Sequence, residues 1–199
     1  VDSYIAFLNE AEVPVPDESE LLWVIGPPLR ECLAKLLQTN DPERIEYAVT
    51  RYRHWYVNEG LMYRDTPYPG IESLLSELKN SGYRMFIATA KAHSYARMIL
   101  RHWNLERYFE AVHGSELDGT RSNKAELLRW MTSELDLREP GEIVMIGDRS
   151  HDIVAARKNG IASIGVGYGY GSKNELTDAG ASYFAADIAD LRKTLLNGP

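Results

Sequence analysis

From Pro67 onward the sequence alternates short apolar runs with helical repeats, and that alternation leaves few folds open. Residues 71–81 carry apolar positions at helical spacing and end at Gly82. Residues 83–89 read as a strand, 93–103 as a helix, 111–113 as a weak strand and 122–134 as a helix. A strand at 142–146 follows, then a helix over 153–159 closed by Gly160, a strand at 161–166, a short strand at 182–185 and a helix at 188–196. Strands separated by helices need crossover connections. The expected fold is therefore α/β, a parallel sheet with a helical layer on each face.

Residues 1–66 follow a different grammar. Helical patterns run over 3–11, 19–25, 29–38 and 42–59, and no strand signal interrupts them. The last opens on Asp41-Pro42, a capping residue followed by proline at the first helical position. Its Ile45, Tyr52, Trp55 and Tyr56 recur at roughly helical spacing and are assigned to core packing. The predicted organisation is a small all-helical unit, 1–66, and an α/β unit, 67–199.

Charge and cysteine content exclude several classes. The net charge of −7 lacks the basic surplus of a nucleic-acid binder. The charge is concentrated in residues 1–66, which carry 12 acids and 6 bases. A lone Cys32 rules out an internal disulfide or a multi-cysteine metal site and, with no visible signal peptide, suits the cytoplasm. No apolar run approaches the roughly 20 residues of a membrane span.

The strand at 142–146 leads into Gly147-Asp148-Arg149-Ser150-His151-Asp152, which brings two carboxylates to the carboxyl end of a strand and the first turn of a helix. Ligands bind at that edge in open α/β sheets. Two acids meeting there need a shared proton or a cation, and hard oxygen ligands point to Mg²⁺. Asp152 alone could do no more than help start the helix. Thr89 ends the first strand, Lys91 follows two residues later, and Lys124 opens the helix after the second strand. Each has an ordinary surface role open to it. Together they make a site for a phosphate and a divalent cation.

On these pieces the sequence resembles the haloacid dehalogenase superfamily, in its phosphoglycolate phosphatase-like branch with a helical cap. The matching stretches are Tyr68-Pro69-Gly70-Ile71, Ile87-Ala88-Thr89-Ala90-Lys91, the run from Gly114 through Asn123 to Lys124, Gly147-Asp148 with Asp152, and Gly165 through Ser172. The resemblance implies a Rossmann-like three-layer core with 1–66 as the cap. It implies that Thr89 hydrogen-bonds the transferring phosphoryl group and that Lys124 balances its charge. It makes Asp148 the Mg²⁺ ligand and Asp152 its neighbour in or just outside the coordination sphere. Lys91 and Arg30, the latter in Gly26-Pro27-Pro28-Leu29-Arg30, are the candidate substrate contacts.

The superfamily's nucleophile lies in an Asp-x-Asp-Gly-Thr motif on its first, central strand, and the opening Val1-Asp2-Ser3 resembles the residues after that motif. The resemblance implies that roughly 10–15 residues, a strand and its loop, precede Val1. The Thr89 strand and the 143–146 strand are then expected about 10 Å apart instead of at the 4.7–4.9 Å of paired neighbours. Glu116-Leu117-Asp118-Gly119-Thr120 imitates the motif but is assigned to a loop before Lys124. The spaced glycines from Gly165 to Gly171 are read as a flexible loop, with Tyr168 and Tyr170 as possible lid contacts.

The implied activity is Mg²⁺-dependent hydrolysis of a small phosphate monoester, phosphoglycolate or a nucleoside monophosphate, through an aspartyl-phosphate. The partner is a small phosphorylated metabolite, with no nucleic acid or membrane; oligomeric state is not set by the sequence. Two alternatives stand beside this, a sugar phosphomutase of the same superfamily and a catalytically silent binding protein that lacks the nucleophile strand.

Overall fold

The computed structural model describes residues 1–197 and divides between Thr66 and Pro67 into two compact units. The first is helical, with α1 (Asp2–Glu10), α2 (Leu29–Leu36) and α3 (Pro42–Arg53). Asp41 starts α3 by accepting the Glu43 N–H at 3.1 Å, and Pro42 occupies a position whose N–H has no helical partner. Phe7 and Leu8 of α1, Cys32 and Leu33 of α2, and Ala48 and Val49 of α3 meet in one core. Burial pushes the Cys32 thiol up to about 11, so it behaves as a packing residue.

Two helical expectations change here. Glu18–Val24 winds as a 3₁₀ helix, and its buried residues Leu21 and Val24 are three apart, the repeat of that tighter turn. The segment expected as one helix over 42–59 is α-helical to Arg53 and then widens into a π turn at His54–Asn58. Around that wider turn the Tyr52 and Tyr56 rings stack at 5.6 Å, and Trp55 Nε1 donates to Glu10 at 2.6 Å.

The second unit holds β1 (Phe86–Ala92), β2 (Ala111–Ser115), β3 (Val144–Gly147), β4 (Ala162–Val166) and β5 (Tyr183–Ala185). All pairings among the described residues are parallel, in two ladders, β1-β2 and β3-β4-β5; β1 and β3 do not pair. Leu74 and Leu78 of α4 (Ile71–Asn80) and Leu191 of α9 (Ile188–Asn197) pack on Ile164 and Val166. In a second cluster, Ala125 and Leu128 of α6 (Lys124–Glu134) and Ala155 and Ala156 of α7 (Ser150–Lys158) meet Phe86 and Ala88 of β1 and Met145 of β3. Met85 belongs to the first cluster and Phe86 to the second, the alternation of a sheet with helices on both faces. The α6–α7 layer spans both ladders. This is the expected three-layer parallel α/β fold.

Local boundaries move. Strand β1 begins three residues later than its apolar run suggests and continues to Ala92, so Thr89 lies inside the strand instead of ending it. Helix α5 (His93–His102) matches its pattern, whereas α8 (Lys173–Asp178) was not anticipated.

Surface carboxylates make stability pH-dependent. Hydrogen bonds from Arg51, Arg30, Arg192, Arg101 with Arg97, and Arg84 hold Glu10, Glu46, Glu77, Glu106 and Glu110 below the usual carboxylate range. A depressed folded-state value means that the unfolded chain takes up protons first as pH falls. The stabilisation is present above the unfolded Glu value of about 4.3 and is lost as pH drops through the lower folded values. Thermal denaturation should show the midpoint falling from about pH 5 downward, with a shallower fall in high salt because exposed pairs are screened.

Candidate active site

The carboxyl end of β1 is shaped by a bulge. Thr89 pairs with Gly114, but the next pair is Ala92 with Ser115, so Ala90 and Lys91 are extra residues on the β1 side. Ser115 Oγ donates to the Ala90 carbonyl at 2.9 Å, and the Lys91 N–H donates to Thr89 Oγ1 at 3.2 Å. A Cβ on Gly114 would lie 2.4 Å from the Lys91 carbonyl oxygen, so the bulge requires glycine opposite it. The Thr89 hydroxyl is thereby held at the sheet edge, with Lys91 exposed beside it.

Beyond β2, Glu116-Leu117-Asp118-Gly119-Thr120 is a tight turn. The Glu116 N–H donates to the Thr120 carbonyl at 2.8 Å, and Asp118 Oδ1 accepts the Thr120 N–H at 2.8 Å. Asp118 therefore serves its own turn, an Asx role. Arg121, in the left-handed region at φ 60°, is ion-paired to Glu116 and lies 4.2 Å over the Trp130 ring. Asn123 then caps α6, accepting the Ala125 and Glu126 N–H groups at 3.0 and 3.2 Å, which puts Lys124 at the first helical position.

Lys124 Nζ meets Asp152 Oδ1 from α7 in an ion pair whose side chains are only 14% and 6% exposed. The second Asp152 oxygen accepts the Arg149 N–H at 3.1 Å. Both Asp152 oxygens thus have protein donors. Asp152, anticipated in or just outside a metal's coordination sphere, here meets Lys124 and the Arg149 N–H. The same contact brings the helix starts that follow β2 and β3 to one edge, and the Thr89–Gly114 pairing adds Thr89 to it.

Asp148 follows β3 at this edge and is gripped by the glycine-rich segment. Its Oδ2 accepts the Tyr170 N–H and its carbonyl the Gly171 N–H, both at 2.9 Å. A Cβ on Gly169 would sit 2.3 Å from Asp148 Cβ, and one on Gly171 2.1 Å from Asp148 O. These glycines let backbone close on an aspartate, a packed arrangement in place of the loose loop read from their spacing. Tyr168 meets the Tyr68 ring edge-on at 5.0 Å, and burial pushes its hydroxyl up to about 12. Glu175, with no counterpart in the sequence reading, accepts the Ser150 N–H at 2.8 Å and Arg149 Nε–H at 3.0 Å. Burial pushes its carboxyl up, but those donors hold it below the usual range.

Gly147 faces Asp152. An added Cβ would lie 2.2 Å from Asp152 Cβ. Gly147→Ala must therefore shift α7 or the aspartate, at about 1–3 kcal/mol, or roughly 2–12 °C in a melting experiment on a chain of this size.

Arg30 belongs to the helical unit, where Nε and Nη2 bind the two Glu46 carboxylate oxygens at 2.5 and 2.9 Å. That carboxylate offsets the cation anticipated for substrate. Among the described residues no group of three or more His, Cys, Asp or Glu side chains could hold a metal ion. Asp148 offers one hard carboxylate. That fits Mg²⁺, which commonly takes one or two carboxylates and fills its remaining positions with water and substrate phosphate.

The haloacid dehalogenase-like hydrolase profile matches residues 1–166. A Pseudomonas aeruginosa protein named 5'-nucleotidase is 42% identical over 182 residues, 90% of this chain and 80% of its own length. The tyrosine-protein kinase PtkA of Mycobacterium tuberculosis is 36% identical over 197 residues, 98% of this chain and 66% of its length. The crystal structure of a predicted phosphatase from Clostridium acetobutylicum superimposes with a TM-score of 0.92 at 37% identity, covering 98% of this chain and 89% of that one.

Proposed function

The chain belongs to the haloacid dehalogenase-like hydrolase family, and we propose that it is a Mg²⁺-dependent phosphatase acting on a small phosphate monoester through an aspartyl-phosphate. The observation that carries this reading is the buried Lys124–Asp152 pair, which brings a fixed ammonium to the edge that also holds Thr89 and Asp148. An ammonium, a hydroxyl and a carboxylate at one edge suit a phosphoryl group and its cation better than any apolar ligand.

In this account Asp148 holds the cation and Asp152 orients Lys124. The Lys124 ammonium and the Thr89 hydroxyl donate to the equatorial oxygens where charge develops in the transition state. Bound Mg²⁺ supplies charge neutralisation at the phosphoryl oxygens. Lys91, exposed beside Thr89, meets the approaching anion. We place the nucleophilic aspartate, and the aspartate that protonates the leaving alkoxide, on a further strand pairing β1 and β3. Support comes from the ladders: β1 and β3 each end one, and Val144 and Ile146 of β3 are each 38% exposed despite being apolar.

The 5'-nucleotidase likeness favours a nucleoside monophosphate over phosphoglycolate. We place the activity in the cytoplasm, a reading supported by the single buried cysteine; no helix of the described residues is long and apolar enough to cross a membrane. The experiment is an assay of phosphate release from nucleoside 5'-monophosphates, 2-phosphoglycolate and hexose phosphates. Free phosphate from one of them supports the reading. Isomerised hexose phosphate without free phosphate supports the mutase. The kinase-named relative makes transfer from ATP to tyrosine a further outcome to score. Silence across all of them leaves the binding protein.

A further inference from the structure

Ser172-Lys173-Asn174-Glu175 has the S-x-x-E spacing of a helix start in which serine and glutamate satisfy each other's backbone N–H groups. Ser172 keeps its half of that exchange, accepting the Glu175 N–H at 3.0 Å. Glu175 does not return it. Its Oε1 reaches across to the Ser150 N–H at 2.8 Å and to Arg149 Nε–H at 3.0 Å, the two residues that follow Asp148. Arg149 and Glu175 are 14% and 26% exposed on their side chains, so this contact is largely shielded from water.

The same segment grips Asp148 twice more, through Tyr170 N–H on Oδ2 and Gly171 N–H on the carbonyl. Four hydrogen bonds thus run from 170–175 to the 148–150 turn. One carboxylate oxygen of Asp148 is fixed by a backbone donor, so the direction of the other is set by how the turn sits against that segment. From 170–175, the Glu175 side chain makes two of these bonds and the Tyr170 and Gly171 N–H groups make the other two, on a backbone that Gly169 and Gly171 let close on Asp148.

We propose that Glu175 is a positioning residue for the cation site, pinning the Asp148–Ser150 turn so that the Asp148 carboxylate is presented in one orientation. The inference rests on the phosphatase reading above and adds a residue to it. Outer partners that orient a metal-binding carboxylate are typically worth about 10–100-fold in metal affinity. Glu175 stays outside the reaction itself, acting on Asp148 through the backbone.

The test is Mn²⁺ binding by calorimetry to the intact protein, Glu175→Ala and Glu175→Gln, alongside Mg²⁺ activation curves. Glu175→Ala should bind Mn²⁺ about tenfold or more weakly. Its Mg²⁺ requirement should rise by the same factor, while the substrate KM at saturating Mg²⁺ stays near wild type. Glu175→Gln keeps an oxygen for the Ser150 N–H but loses the charge facing Arg149, and should be weakened by less than Glu175→Ala. A lower melting temperature with unchanged Mn²⁺ affinity and Mg²⁺ midpoint would reduce Glu175 to a structural clasp and overturn the proposal. If Glu175→Ala does not fold, Glu175→Gln decides: wild-type affinity overturns it, weaker binding sustains it. A wild-type protein that binds no Mn²⁺ and ignores Mg²⁺ would overturn the Mg²⁺-dependent reading and this inference with it. Tight wild-type binding with unaltered variants overturns this inference alone.

Discussion

Lys124→Ala should lose both activity and stability, and the two losses have different origins. Removing one preorganised donor to transition-state charge typically costs about 10²–10³-fold in turnover. Read from sequence, Lys124 is an exposed helix lysine whose loss leaves the fold intact. The buried pair changes that expectation: Asp152, 4% exposed, would be left with an uncompensated charge. Breaking a buried pair from one side costs about 3–5 kcal/mol, which lowers the melting temperature by roughly 6–20 °C at this chain length. Kinetics should therefore be measured at a temperature where circular dichroism shows the variant folded. The double variant Lys124→Met with Asp152→Leu separates the effects. It should recover much of the stability, since an apolar pair replaces a buried ionic one, while activity stays lost. Recovery of both would remove Lys124 from the chemistry.

Asp148→Asn should do the opposite, abolishing activity on an intact fold. The amide oxygen still accepts the Tyr170 N–H that Asp148 Oδ2 now accepts, and the volume is unchanged, so melting should shift by no more than about 2 °C. On the proposed reading the lost charge cripples the cation site, and kcat/KM should fall by about 10³-fold or more with no recovery at raised Mg²⁺. A Mg²⁺ titration of kcat/KM beside a thermal melt checks both halves. Substantial activity in this variant would move the metal away from Asp148.

What could be read in advance was what is local. Gly147-Asp148 after an apolar run, Lys124 behind its capping Asn123 and Thr89 in a β-rich segment each follow from neighbours within a few residues. Pairings across the chain left no such trace. Lys124 meets Asp152 over 28 residues and Arg30 meets Glu46 over 16, partners that no local pattern names. The β1 bulge was hidden for a related reason: Gly114 is required by the Lys91 carbonyl on the neighbouring strand, a contact that periodicity cannot express. Helix α8 is different. Its S-x-x-E signature was visible, but six residues carry too little periodicity to register, and the glutamate departs from the local bond that the signature implies.

The central claim is that Thr89, Lys124 and Asp148 share one phosphate and cation site, and a crystal of the intact protein grown with Mn²⁺ and inorganic phosphate tests it most directly. The account predicts an anomalous Mn²⁺ peak about 2.0–2.6 Å from an Asp148 carboxylate oxygen. It also predicts a phosphate within hydrogen-bonding reach of both Thr89 Oγ1 and Lys124 Nζ, with the Asp152 pair still in place. A Mn²⁺ peak on other residues, or phosphate bound away from Thr89 and Lys124 in a crystal whose Asp148 stays bare, would contradict it.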